Sequence, residues 1–235
     1  MTSLLWRDER HGPLPVPLLV LTVITGLVDA VSYLRLGHVF VANMTGNVAF
    51  LGFAIADARE FSVPASLTAM GAFLAGALAG GRIGSSAGHH RGRLLAVTIY
   101  IQIALVAAAL AVSAMRVNPD GDVFPYLLIV LLALAMGLQN ATARRLGVPD
   151  LTTTVLTLTL TGLAADSRIA GGKAPNPSRR LLATATMFVG AAVGAFLLFH
   201  VDVSAVLALA LALLVLNGIA AYRLSSSSDP WTVGT

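Results

Sequence analysis

The chain has 235 residues, of which 57% are hydrophobic and only 11% are charged, which leaves too little polar surface for a soluble domain of this size. The 15 Lys and Arg residues exceed the 11 Asp and Glu residues and give a net charge of +4, but they lie between apolar segments and form no stripe with aromatic residues. We therefore predict an all-α, polytopic helical membrane protein whose basic residues orient helices, and we expect no nucleic-acid partner.

The first half of the chain is predicted to hold four apolar segments. Residues 1–14 are polar and are expected to form a cytoplasmic leader, ahead of a single membrane domain over residues 15–222. Pro15 and Pro17 suit the start of the first helix, because the first turn of a helix has no N–H hydrogen bond to lose. Within the first repeat, residues 15–116, the predicted segments are 15–36, 38–56, 64–83 and 94–115.

The second half repeats this plan after a turn-forming stretch, Asn118-Pro119-Asp120-Gly121. Within residues 123–222 the predicted segments are 123–143, 151–165, 181–200 and 203–221. The sixth segment is too short, at ~1.5 Å per residue, to cross a hydrocarbon core of ~30 Å. The four serines that follow residue 224 indicate a flexible tail over residues 223–235.

Polar residues interrupt the apolar sequence most strongly at residues 26–47, GLVDAVSYLRLGHVFVANMTGN, and more weakly at residues 136–161, MGLQNATARRLGVPDLTTTVLTLTLT. Both stretches contain Gly-Leu-x-(Asp/Asn)-Ala, with Asp29 in the first and Asn140 in the second. The third and seventh segments share Gly-Ala-x-x-Gly, a spacing that lets membrane helices pack closely. The chain is therefore predicted to consist of two related halves.

The distribution of Lys and Arg selects a topology. If segments two and six each enter and leave on one side, twelve basic residues lie inside and only Arg35, Arg59 and Arg116 lie outside, as the positive-inside rule requires. Eight full crossings would give eight inside and seven outside, which is no bias. A seven-span arrangement with an external N-terminus gives eleven to four, but it breaks the match between the halves.

Three crossings in each half, an odd number, make the two halves run in opposite directions. The predicted fold is thus two inverted repeats, each with three spanning helices and one re-entrant or broken polar helix. Non-helical backbone at membrane depth is tolerated only where protein covers it or where it lines water. Many transporters place their solute sites at such segments, near the midplane of the bilayer.

The two polar stretches carry a family resemblance. GLVDAVSYLRLGHVFVANMTGN, with its Asp-Ala and Met-Thr-Gly-Asn, followed by GLQNATARRLGVPDLTTT, resembles the YoaK-like family of small bacterial multispanning membrane proteins of unknown function. The resemblance covers most of residues 15–222. It implies the cytoplasmic membrane of a bacterium, crossed several times, and it supplies no chemistry and no substrate.

We predict a transporter or channel for a small polar or ionic solute, with the alternative of a structural or assembly membrane protein that transports nothing. An intramembrane carboxylate costs ~2.5–3.5 kcal/mol on insertion scales, so it marks a partner or a water-filled cavity. The residues predicted to form the solute site share a polar side chain inside the two stretches: Asp29, Asn43, Thr45, Asn47, Gln139, Asn140, Thr154 and Thr157.

Structural roles are possible for the same residues. Asp29 could pair with Arg35 or cap a neighbouring segment, and the amides and threonines could hydrogen-bond between helices at about 0.6–1 kcal/mol each. The pair His89-His90 beside Arg91 is interpreted as a solvated basic loop rather than a metal site. We expect no enzymatic activity, cofactor or metal. The expected partners are the lipid bilayer and the solute, both termini are expected in the cytoplasm, and a homo-oligomer is compatible with the sequence.

Overall fold

The structure, a computed structural model, describes residues 10–87, 90–115, 123–151, 156–172 and 177–233. In these residues all the regular secondary-structure elements are helices, joined by turns and irregular segments, and there is no strand. The α-helices are α1 (Pro15–Arg35), α2 (Met44–Ile55), α3 (Val63–Ala87), α4 (Arg91–Ala114), α5 (Val123–Leu146), α6 (Leu156–Ala165), α7 (Pro177–His200) and α8 (Val203–Ser225). One 3-10 turn follows α6 and another, Pro230–Thr232, follows α8.

Six of these helices are long and apolar enough to cross a membrane, and they coincide with the six predicted spans. The other two, α2 and α6, have 12 and 10 residues, which correspond to about 18 Å and 15 Å of helix. In the first half the reason is visible in the backbone. Gly37 and His38 both have positive φ angles, so the chain turns sharply after α1, and residues 39–43 stay non-helical until α2 begins.

The helices α1 and α5 are the most buried of the long helices and lie at the centre of the fold. Against α1 pack α7 and α8, and against α5 pack α3 and α4. The pair α4 and α8 closes the bundle, while the short helices α2 and α6 lie on α3 and α7 respectively. Exchanging the two halves therefore converts each of these helix pairs into another pair that is also packed, and converts the pair α4 and α8 into itself.

Glycine permits the closest approach between α3 and α5. A Cβ atom added to Gly76 on α3 would collide with the carbonyl oxygen of Leu134, and one added to Gly137 on α5 would collide with that of Phe73. Each helix thus presses a backbone carbonyl against a glycine of the other. The predicted role of the Gly-Ala-x-x-Gly spacing in helix packing is confirmed for this pair.

The pair α1 and α7 makes the same exchange. A Cβ atom at Gly190 would collide with the carbonyl oxygen of Val23, and one at Gly26 would lie 2.6 Å from that of Met187. Gly26 and Gly137 open the two Gly-Leu-x-(Asp/Asn)-Ala motifs, so equivalent glycines make equivalent contacts in both halves.

The ends of the described chain meet at Arg91, the first residue of α4. Its guanidinium donates to the carbonyl oxygens of Leu146 and of Trp231, the latter at 3.3 Å, and lies 3.0 Å from Nδ1 of His11. Arg91 is buried because it starts a helix and three neighbouring segments enclose it. The prediction of a solvated loop at this residue is therefore wrong. His90 caps this helix through Nδ1, and His89 lies outside the described residues.

The segment after α8, which is predicted from its composition to be a flexible tail, contacts two other parts of the chain in the structure. Trp231 is only 8% exposed, and its ring packs on Gly12, whose φ angle is positive. His90 Nε2 lies 2.8 Å from the carbonyl oxygen of Ser227, and the Thr232 hydroxyl donates to the carbonyl of Asp229. Trp231 thus attaches the segment after α8 to the segment before α1.

Candidate functional site

Asp29 lies in the last third of α1 and is 5% exposed. Its Oδ1 atom accepts hydrogen bonds from the backbone N–H groups of Val41 and Ala42, at 3.1 and 3.0 Å. These N–H groups belong to residues 36–43, the connecting segment between α1 and α2. A hydrogen bond within a protein contributes about 0.5–1.5 kcal/mol, and more when the acceptor is charged, so these two bonds fasten the connecting segment to α1.

These contacts discriminate between the two structural roles considered for Asp29. Val41 and Ala42 immediately precede Asn43, the N-cap residue of α2, so the carboxylate acts next to the start of a neighbouring helix. Arg35, the other partner considered, has an exposed side chain. The observed arrangement is therefore close to the capping alternative.

Asn47 holds the same connecting segment from the side of α2. Its Oδ1 accepts from the N–H of Phe40 at 2.8 Å, and its Nδ2 donates to the carbonyl of Phe40 at 2.6 Å. Around this contact the aromatic rings of the region pack in a cluster, with neighbouring centroids 4.7 to 6.4 Å apart, formed by Tyr33, His38, Phe40, Phe50, Phe53 and Phe61. Such pairs add roughly 0.5–1.5 kcal/mol each beyond burial.

Gln139 lies in the core and not at the connecting segment. Its Nε2 donates to Oγ1 of Thr25 on α1 at 2.9 Å, and its Oε1 accepts from Nε2 of Gln102 on α4 at 2.9 Å. Gln102 Nε2 also donates to the carbonyl of Ala135 at 3.2 Å. This polar chain joins three helices at the centre of the fold, which is a structural use of amides inside a membrane protein.

Asn140 faces a different environment, a cavity of about 700 Å³ between α3 and α5. Its Nδ2 donates to the carbonyl of Met136 at 2.9 Å. The cavity, called here the α3–α5 cavity, is lined by Phe73, Ala77, Gly80, Gly81, Gly84, Asn140, Ala141, Arg144 and Arg145. Along α3 it extends from Phe73 to Gly84, about 16 Å at 1.5 Å per residue.

A second cavity, of about 530 Å³, lies between α1 and α8. Its lining is apolar except for Asn217 and Arg223. Asn217 Nδ2 donates to the carbonyl of Pro17 at 3.1 Å and so joins the two helices that form the cavity walls. This cavity offers little for the recognition of a polar solute.

The eight predicted site residues do not share one cavity in the described part of the chain. Asp29 and Asn47 hold the connecting segment, Gln139 lies in the core, and Asn140 lines the α3–α5 cavity. The side chains of Asn43, Thr45 and Thr157 are exposed, and Thr154 lies outside the described residues. Among the described residues no group of three or more His, Cys, Asp or Glu side chains is placed to hold a metal ion.

Thr159 was not included among the predicted site residues. It is the buried residue of α6, as Asn47 is the buried residue of α2. Thr157 precedes Thr159 by two positions, as Thr45 precedes Asn47. This common spacing is the sequence signal that pairs the two short helices, and it places Thr159 opposite Asn47 in the comparison of the halves.

Arg180 is a second residue that sequence reasoning missed. Its Nε donates to Oδ1 of Asp150 at 2.9 Å, and one of its terminal nitrogens donates to Oδ2 of Asp166 at 2.7 Å. Asp150 lies six residues before α6 and Asp166 directly follows it, so one guanidinium on α7 joins chain segments on both sides of the short helix. Gly162, in the middle of α6, leaves room for that guanidinium.

Comparison with known proteins is consistent with the helical membrane architecture. The chain is 37% identical over 147 residues to the UPF0700 transmembrane protein YoaK of Bacillus subtilis (strain 168). The match covers 63% of this chain and 64% of that protein, so it spans less than two thirds of its relative. No solved structure gives a significant match. Residues 17–220 match the family described as protein of unknown function DUF1275. The resemblance seen in the two polar stretches is thereby confirmed, and the chain belongs to the DUF1275 family of membrane proteins.

Proposed function

We propose that the protein is a transporter or channel for a small polar or ionic solute. The observation that carries the proposal is the α3–α5 cavity, which extends over about half the thickness of a hydrocarbon core. It starts near the middle of α3 and ends near the last turn of that helix, so it offers a solute a route into the bundle. The proposal includes no enzymatic reaction and no cofactor.

Inverted repeats are part of this proposal. Gly76 and Gly137 each meet a carbonyl group of the facing helix, and so do Gly26 and Gly190. These matching contacts support a twofold relation between the halves. The three long helices of each half are an odd number, so two related halves that span the membrane three times each run in opposite directions. Transporters built in this way place their sites where the short or broken helices approach each other.

A difference between the related halves also supports transport. Asp29 and Asn140 occupy equivalent motif positions, yet Asp29 is closed in by the connecting segment while Asn140 lines an open cavity. In alternating access, one half is packed while the other is accessible, and the two exchange roles. The present arrangement corresponds to one of these two states.

A second candidate function, a structural or assembly membrane protein, is favoured by the hydrogen bonds of the polar residues. Asp29, Asn47 and Gln139 all bind groups within the protein, and each of these contacts holds two segments together. Under this candidate the α3–α5 cavity would conduct nothing.

The proposed location is the cytoplasmic membrane of a bacterium, with both termini in the cytoplasm. This orientation follows from the positive-inside count, and it places the end of the α3–α5 cavity that Gly84 and Arg145 line on the cytoplasmic side. The partners of the proposed protein are the lipid bilayer and the solute, and a homo-oligomer is compatible with the exposed apolar helix faces.

Gly81→Leu tests the proposal, with Gly71→Leu as the matched control. A Cβ atom at either glycine of α3 meets no atom within 4 Å, so leucine fits at both positions, but only Gly81 lines the α3–α5 cavity. The purified proteins are reconstituted in liposomes, and flux is measured for a panel of small neutral solutes, organic acids and inorganic ions. We expect Gly81→Leu to block the flux that the parent protein and Gly71→Leu support.

If folded parent protein gives no flux above empty liposomes for any solute in the panel, the structural candidate replaces the transporter. Equal flux through Gly81→Leu and Gly71→Leu would instead remove the α3–α5 cavity from the pathway.

A further inference from the structure

We propose that the α3–α5 cavity binds an oxyanion, a phosphate or carboxylate group, through the side chains of Arg144 and Arg145. This inference deepens the proposed function by naming the ligand class, and it relies on that function only for the step from binding to passage. The cavity walls hold two cations and one amide and no acidic residue. The lining therefore carries a local charge of +2.

The two arginine side chains are available for a ligand. Neither forms an ion pair or a side-chain hydrogen bond with another described residue, whereas Arg180 is engaged by two carboxylates. Arginine presents its N–H groups as a planar fork that matches the two oxygens of a carboxylate or phosphate. Two such forks at one cavity suit an anion better than a cation or a neutral solute.

Helix capping does not explain these arginines. Basic side chains near the end of a helix commonly serve its last carbonyl groups, and Arg144 and Arg145 lie in the last turn of α5. The carbonyl of Leu146 at that end accepts a hydrogen bond from Arg91. Neither Arg144 nor Arg145 donates to a described helix-end carbonyl, and both side chains are exposed and line the cavity.

The opposite wall provides space for a bound group. Gly80, Gly81 and Gly84 line the cavity from α3, and the open space lies at Gly81, where a Cβ atom would meet no atom within 4 Å. A Cβ atom at Gly84 would lie 3.5 Å from Cγ of Arg145, and one at Gly80 would lie 2.8 Å from Cβ of Ala141. Asn140 and Arg144 are four residues apart and so lie on one face of α5. An anion held by Arg144 can thus be reached by the Asn140 side chain, one turn deeper in the cavity.

The experiment compares the variant Arg144→Gln/Arg145→Gln with Arg82→Gln/Arg93→Gln, which removes the same charge from two exposed arginines that do not line the cavity. Thermal unfolding of the purified full chain in neutral detergent is followed at rising inorganic phosphate, with chloride at equal ionic strength as the reference. A second arm uses nanodiscs of phosphatidylcholine with and without phosphatidylglycerol. A ligand that binds only the folded state stabilises it by RT ln(1 + L/Kd), where L is the free ligand concentration, so the unfolding temperature rises with the logarithm of ligand concentration above Kd.

We expect stabilisation of the parent protein and of Arg82→Gln/Arg93→Gln, and apparent binding at least about tenfold weaker in Arg144→Gln/Arg145→Gln. Stabilisation by phosphate in detergent identifies a soluble oxyanion, and stabilisation by phosphatidylglycerol alone identifies a lipid headgroup. Gly81→Leu, which places an apolar side chain in the cavity and keeps both arginines, is expected to weaken the same binding.

No stabilisation by either probe, or equal stabilisation of the two double variants, overturns the oxyanion site. The oxyanion site and the transport function can be rejected independently of each other. Oxyanion binding without flux of any solute retains the site and rejects transport, whereas flux of solutes without an acidic group, with no oxyanion binding, retains transport and rejects the site.

Discussion

Replacement of Asp29 tests whether its carboxylate anchors the connecting segment or serves a solute. Asp29→Ala leaves the N–H groups of Val41 and Ala42 buried without their acceptor, at about 1–3 kcal/mol each, so unfolding should become easier by about 2–6 kcal/mol. Asp29→Asn keeps an acceptor oxygen for both N–H groups, so its loss of stability should be smaller than that of Asp29→Ala.

The assay is thermal unfolding in detergent, where 1 kcal/mol corresponds to about 2–4 °C for a chain of this size. Arg35→Ala is the control and should stay within about 0.5 kcal/mol of the parent, because that side chain is exposed. Asn47→Ala should also destabilise, and the double variant Asp29→Ala/Asn47→Ala should lose less than the sum of the single losses, because both residues hold one segment.

The anchoring role would be refuted if Asp29→Ala unfolded at the temperature of the parent protein and lost only its flux. It would also be refuted if Arg35→Ala reproduced the loss seen in Asp29→Ala, since that result would indicate an ion pair in the functional state.

Three further predictions concern the helices. Gly76→Leu should lower the unfolding temperature strongly, whereas Gly71→Leu should leave it nearly unchanged. The reason is that a Cβ atom at Gly76 collides with a backbone carbonyl of α5 and one at Gly71 meets no atom within 4 Å. Equal stability of the two variants would contradict this packing. The chain has no Cys, so single cysteines that replace Arg35 and Arg59 can be labelled in cells with an impermeant reagent. Both should react from outside, and reaction from opposite faces would mean that α2 crosses the membrane. Arg180→Gln should destabilise by about 1–3 kcal/mol and Arg180→Lys by less, as measured by thermal unfolding, because lysine retains the charge but not the fork that reaches two carboxylates.

The sequence predicts the long helices well because their signal is local. Each span is a run of apolar residues of sufficient length, and Pro15 and Asp202 mark helix starts by their own chemistry. The repeated Gly-Leu-x-(Asp/Asn)-Ala motif also identifies the two glycines, Gly26 and Gly137, that meet carbonyl groups across helix pairs.

The partners of the polar residues could not be predicted in the same way. The acceptor role of Asp29 depends on backbone N–H groups at Val41 and Ala42, which every residue except proline carries and which leave no mark in the sequence. The α3–α5 cavity depends on where two distant helices meet. In the sequence Gly81 resembles a helix-packing glycine, and only the meeting of α3 with α5 shows that it borders open space.

Arg91 also has a consequence for the biosynthesis of the protein. Its partners His11, Leu146 and Trp231 emerge from the ribosome at the start, in the middle and near the end of translation. Until Trp231 has been synthesised, the Arg91 guanidinium lacks one of the carbonyls that enclose it. A nascent chain that stops within α8 therefore keeps an incompletely satisfied arginine at the junction of its two halves.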